Sequence, residues 1–220
     1  LYMCIAFEYQ NLDKNAKALD YLKKAIDFNP ENEIALYELA FCFEAEDKLA
    51  ESTLYYQKYL EQHPYSHAAW YNLGISYSKM SEHEKAIDAY DFAIAIDDSF
   101  ASAYFNKAHA YAHMGEFDNA IALYQETFRY EEPESFTHYY IGECHEKSGN
   151  HVSAVKEYEI AIKLDAEFAD AWLAIGRVKA QMGRIKEGRA HIEKAIDIEP
   201  DHSTSWMILG DILIQSKDLK

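Results

Sequence analysis

Hydrophobic positions along this chain keep two rhythms at once. Within residues 67–98, Trp70, Leu73, Gly74 and Tyr77 fall three or four apart, and beyond a break around Ser81 the same spacing returns in Ala86, Ile87, Tyr90, Ala93 and Ile94. Steps of three and four place each set on one side of an α-helix, so this stretch predicts two helices joined by a turn. The second rhythm is a repeat of 34 positions without insertion or deletion. A small-residue column runs Ala18, Ser52, Ala86, Ala120, Ala154, Gly188; a bulky column, sixteen residues earlier, runs Tyr2, Leu36, Trp70, Tyr104, His138, Trp172, Trp206. A third column, four residues after the small one, is Leu22, Tyr56, Tyr90, Tyr124, Tyr158, Ile192. Three registers held in phase over six repeats describe an array of one supersecondary unit.

The reading is therefore all-α: a right-handed α-α superhelix of about six helical hairpins plus a final helix, thirteen in all, the last near residues 203–216. Repeats fall at about 1–32, 33–66, 67–100, 101–134, 135–168 and 169–202, with a partial unit over 203–220, in a single array. Each hairpin turn holds a residue that tolerates a turn: Asp47, Ser81, Gly115, Gly149 or Gly183. Bulky and small columns alternate because Gly74, Gly142, Gly176 and Ala86 let helices approach closely while Trp and Tyr fill the space beside them. Lys107, Thr127, His138, His145, Lys179 and Gly188 break the pattern, so packing is expected to be weakest around 127–145. The chain starts inside a first helix at Leu1 and stops soon after another, which reads as a segment of a longer protein. That last helix carries Trp206, Leu209, Ile212, Leu213 and Ile214 with no following helix to cover them. Self-association through it is one expectation.

Composition narrows the function more than the fold. The net charge is −17, with acids in excess by nine over residues 1–110 and by eight over the rest. Evenly spread acidity favours solubility and disfavours nucleic acid and anionic membrane surfaces. No apolar run is long enough to span a bilayer and no signal peptide opens the chain, so a cytoplasmic location without membrane insertion is expected. Cys4, Cys42 and Cys144 lie far apart and lack metal-type spacing, which fits reduced thiols. No nucleophile elbow, phosphate loop or dinucleotide fingerprint occurs, and no cofactor is expected.

Trp70-x-x-Leu73-Gly74-x-x-Tyr77 followed by Ala86, Tyr90 and Ala93, with Pro30, Pro64 and Pro200 in a closing column, resembles the tetratricopeptide repeat. The resemblance covers the whole chain and implies a non-catalytic interaction module. It also implies that the first helices line a concave groove for an extended peptide or a partner helix, through the fifth, sixth, ninth and twelfth residues of each unit. The fifth column, Tyr37, Tyr71, Phe105 and Tyr139, followed by Leu173 and Met207, forms an aromatic ladder. Rigid aromatic surface supplies contact area at little entropic cost. Asn72 and Asn106, one residue on, offer a donor and an acceptor that could pair with a bound backbone. Ile34, Tyr37, Phe41, Tyr71, Ile75 and Phe105 toward the N-terminus give way to Glu143, Glu146, Asp170, Arg177 and Asp211, a gradient suited to a ligand with an apolar segment followed by a polar or basic one; His109 is a further groove candidate. The family's clamps for acidic chaperone tails need Lys, Asn and Arg at set slots; here Met3, Phe7, Tyr37, Glu38 and Phe41 stand there, which argues against that activity.

Two readings compete with a peptide-binding scaffold. His109 and His113 are spaced i, i+4 on one helix face, and Glu143 follows His109 by one repeat, a candidate zinc-type set for a metal-dependent or regulatory enzyme subunit. The metalloprotease motif needs Glu directly after the first His, and Ala110 stands there. The other reading is a structural repeat that drives homo-oligomerisation.

Overall fold

The computed structural model describes residues 1–216, and every regular element among them is a helix. The last four residues of the expected partial seventh repeat lie outside the described residues. The chain groups into two compact units, Leu1–Gly115 and Glu116–Lys220. The first unit holds α1 (Tyr2–Asn11), α2 (Asn15–Phe28), α3 (Glu33–Ala45), α4 (Leu49–Gln62), α5 (His67–Lys79), α6 (His83–Ile96) and α7 (Ala101–His113). In the second are α8 (Phe117–Thr127), α9 (Ser135–Lys147), α10 (His151–Leu164), α11 (Ala169–Gln181), α12 (Ile185–Ile198) and α13 (Ser203–Ser216). Each helix packs on the next within its unit, and first helices also touch one another, α3 with α5, α5 with α7, and α11 with α13.

The three sequence columns have distinct mechanical roles. Tyr56, Tyr90, Tyr124 and Tyr158 are fully buried. Two of these rings lie against a glycine of the preceding helix: a Cβ on Gly74 would stand 2.5 Å from Tyr90 and one on Gly142 would stand 2.6 Å from Tyr158. The bulky column fastens the loops between repeats. Indole N–H groups of Trp70, Trp172 and Trp206 donate to the carbonyls of Pro64, Ala166 and Pro200 at 2.8, 2.9 and 2.8 Å, each six residues back. Tyr104 does the same with its hydroxyl to Asp98. Hairpin turns need one residue with positive φ, supplied by Gly115, Gly149 and Gly183 and, at some backbone cost, by Asp13, Asp47 and Ser81.

Four of the six residues that break the pattern acquire polar partners in place of packing. Lys107 pairs with Asp91 at 2.5 Å, and His138 bonds Glu157 at 2.7 Å while stacking on Phe128. Lys179, buried in α11, reaches Glu159 and His191, both at 3.4 Å. Thr127 turns its hydroxyl onto the Tyr124 carbonyl at 2.7 Å. There α8 ends in tight i to i+3 turns, after 11 residues where the other full-length second helices have 14.

The last helix corrects one expectation. Leu209 and Ile212 are buried in a cluster with Leu173, Ile192, Ala195 and Ile196, because the hairpin before α13 suffices to cover them. Trp206 and Ile214 are exposed as expected, and Met207 is exposed with them.

Candidate functional site

On the face where first helices meet, the first unit presents three of the four aromatic rungs, Tyr37, Tyr71 and Phe105, all half-buried. Each leans on aromatic neighbours. Tyr37 makes edge contacts with Tyr56 and Tyr59, Tyr71 meets Phe100 edge-on at 4.9 Å, and Phe105 meets His109 at 4.8 Å. Burial raises the hydroxyl pKa of both Tyr37 and Tyr71, which keeps them neutral hydrogen-bonding groups. Beside the ladder, Ile34 is 54 % exposed and Phe41 44 % exposed, while Ile75 is half-buried. Phe7, an exposed residue of α1, occupies the same ninth repeat position as Phe41 and Ile75.

The asparagines act differently from the sequence expectation. Asn72 donates its side-chain N–H to the Tyr37 hydroxyl at 2.8 Å, and Asn106 donates to the Tyr71 hydroxyl at 3.0 Å. Asn106 spends its other N–H on the Ser102 carbonyl at 2.9 Å. Both donors of Asn106 are thus engaged within the protein, and a ligand can meet its carbonyl alone. What the column reading missed is this coupling: a fifth-position Tyr in one repeat is tied to the sixth-position Asn of the next, 35 residues on. Gln10 to Glu38 at 2.7 Å and Lys79 to Glu44 at 2.6 Å add further polar ties between successive first helices. A recurring 35-residue Tyr–Asn offset was the signal available in the sequence.

In the second unit Tyr139 is half-buried, with its ring against Tyr140, Tyr158 and Phe168. Glu143 is half-buried too. Arg177 makes a two-pronged bond to Glu146 at 3.0 and 2.9 Å, and the buried Tyr158 hydroxyl donates to the same carboxylate at 2.8 Å. Its charge is therefore neutralised inside the protein. Leu173, the next rung of the column, is buried and Met207 is exposed.

The histidine pair also resolves differently. His113 stacks on His83, with ring planes 3° apart and centroids at 5.1 Å, while His109 faces Phe105. Among the described residues no three His, Cys, Asp or Glu side chains converge in a metal-holding group, so His109, His113 and Glu143 do not form one.

Models of the tetratricopeptide repeat match residues 8–67, 67–100, 101–131 and 169–202. The chain belongs to the tetratricopeptide repeat family. Comparison with curated proteins gives no match. Among solved structures the chain is similar to MamA at 26 % identity, with a TM-score of 0.71 over 77 % of this chain and 99 % of that one. It is also similar to YrrB, described as a tetratricopeptide repeat protein with an unusual peptide-binding site, at 21 % identity and a TM-score of 0.68 over 85 % and 96 % of the two chains. A tetratricopeptide repeat protein from Parabacteroides merdae reaches a TM-score of 0.83 at 16 % identity over 98 % of this chain and 86 % of that one. The last two likenesses concern the fold alone. No helix among the described residues is long and apolar enough to cross a membrane.

Proposed function

We propose that this tetratricopeptide repeat protein is a non-catalytic scaffold whose first-helix face binds a peptide or a partner helix. The observation that carries the reading is the joint exposure of Ile34 and Phe41 beside the half-exposed rings of Tyr37, Tyr71 and Phe105. A row of rings held by neighbours, with apolar side chains left in water beside it, suits an apolar or aromatic segment of a ligand. The Tyr–Asn ties hold that row rigid before a ligand arrives, which lowers the ordering cost of binding. Ligand backbone is met by the amide carbonyls, and the aromatic faces supply most of the contact. In the second unit Tyr139, Glu143 and the paired Arg177 favour a more polar or basic segment. The test is capture of protein partners by the intact chain and by a Tyr71→Ala, Phe105→Ala variant. Partners retained by the first and lost by the second, with both folded by circular dichroism, are the expected result. An identical set from both defeats the reading.

Exposed Trp206, Met207 and Ile214 favour a second reading, self-association through α13. Sedimentation over a wide concentration range tests it. A change of mass abolished by Trp206→Ser is expected, and a constant monomer mass rejects it.

A further inference from the structure

A cleft of about 530 Å3 opens between the second helices α4 and α6, over α5. It lies away from the groove. On a helix of 3.6 residues per turn, Trp70, Leu73 and Tyr77 cluster on one side of α5, while Tyr71 and Ile75 lie about 150° round it. Leu60, Leu73 and Ala89 form an apolar floor, and Trp70 and Phe92 form a wall, stacked with centroids 4.4 Å apart.

Phe92 singles the cleft out. It is 54 % exposed, and the same repeat position holds Lys24, Lys58, Glu126, Ile160 and Lys194 elsewhere in the chain. Packing within the hairpin does not call for a phenylalanine where four of the five other repeats carry a charge. Its ring instead widens an apolar wall in water, where burial by a ligand is favourable.

The rim fixes the sign of the ligand. Glu61 and Asp88 are exposed carboxylates at its edge. Its one cation, Lys85, is already paired with Glu82 at 2.8 Å and lies over the Tyr77 ring. Gln57 is held by the Tyr77 hydroxyl at 2.8 Å. The rim therefore presents net negative charge around an apolar floor, on a chain of net charge −17.

We propose that this cleft is a second docking site, for a partner-protein segment in which a bulky apolar side chain sits next to lysine or arginine. The apolar side chain enters against Trp70 and Phe92, and the cation lies between Glu61 and Asp88. Such complementarity governs which segment binds and how fast.

The test is selection of a random twelve-residue peptide library on the intact chain, followed by affinity measurement with the synthetic consensus peptide. A consensus pairing a bulky apolar residue with Lys or Arg is expected. Phe92→Asp and Asp88→Arg, both at exposed positions, are each expected to weaken it tenfold or more, and Glu61→Gln with Asp88→Asn to weaken it about fivefold. Phe92→Asp adds negative charge, so an unspecific basic peptide would bind this variant more tightly. The groove variant Tyr71→Ala, Phe105→Ala is expected to bind the peptide unchanged, which separates this site from the proposed groove. The proposal is overturned by an acidic or uncharged consensus, by no consensus, by binding indifferent to Phe92→Asp and Asp88→Arg, or by binding lost in the groove variant.

Discussion

Gly74→Ala is the sharpest test of how the repeats close on one another. An added Cβ would lie 2.5, 2.7 and 2.9 Å from three ring carbons of Tyr90, where carbon atoms prefer about 3.5–4.0 Å. The ring must retreat by about 1 Å, yet Tyr90 is fully buried, with its hydroxyl 3.1 Å from Ser78. The equivalent pair in the preceding repeat indicates where it goes. Ala40 already carries a Cβ beside Tyr56, and the Tyr56 hydroxyl lies towards Asn72 without completing a hydrogen bond. A displaced Tyr90 that loses Ser78 leaves a buried hydroxyl unpaired, at about 1–3 kcal/mol, and overpacking adds about 1–3 kcal/mol. Alanine returns about 1 kcal/mol through its helix propensity. The expected net effect is destabilisation by about 1–5 kcal/mol. Gly210, at the same repeat position in α13, has open space where a Cβ would go, so Gly210→Ala is expected to gain up to about 1 kcal/mol. Urea denaturation gives the global effect, and because repeat arrays depart from two-state behaviour, hydrogen exchange on α5 and α6 gives the local one. A Gly74→Ala protein stabilised as much as Gly210→Ala would refute the close-approach argument.

Other expectations follow from the same contacts. A double-mutant cycle on Tyr37→Phe and Asn72→Ala should give a coupling of about 1 kcal/mol, and a value indistinguishable from zero would remove the tie between α3 and α5. Burial pushes the Cys42 and Cys144 thiols up to about 11 while Cys4 is exposed, so a thiol reagent at neutral pH should label Cys4 fast and the other two only on unfolding; three equal rates would contradict this. Desolvation and the neighbouring His113 lower the pKa of His83, whose Nδ1 is buried without a partner. The unfolded chain then takes up this proton more readily than the folded one. Stability from this group is present above about 6.5, the ordinary His value, and is lost as pH falls below it. Thermal unfolding at pH 7.5 and 5.5 should therefore show a smaller acid loss in His83→Gln than in the parent, and equal losses would exclude the effect.

The 34-residue register by itself determined the helices, their order and their turns. Apolar positions at three and four specify helical faces, and recurrence at a fixed length points to like units that stack on their neighbours. Tyr37, Tyr71 and Phe105 could be placed on one face for the same reason. The structure decided what those side chains touch. Asn72 and Asn106 looked free to pair with a bound peptide because a column shows residue type but not partner, and the Tyr hydroxyls that accept hydrogen bonds from their side-chain N–H groups lie one repeat away. His113 looked paired with His109 by helical spacing, yet it stacks on His83, 30 residues back, because adjacent hairpins bring α6 and α7 together. The cleft lined by Trp70 and Phe92 was invisible for a related cause: its wall comes from α5 and α6 and its rim from α4 and α6, and only packing turns those separate positions into one surface.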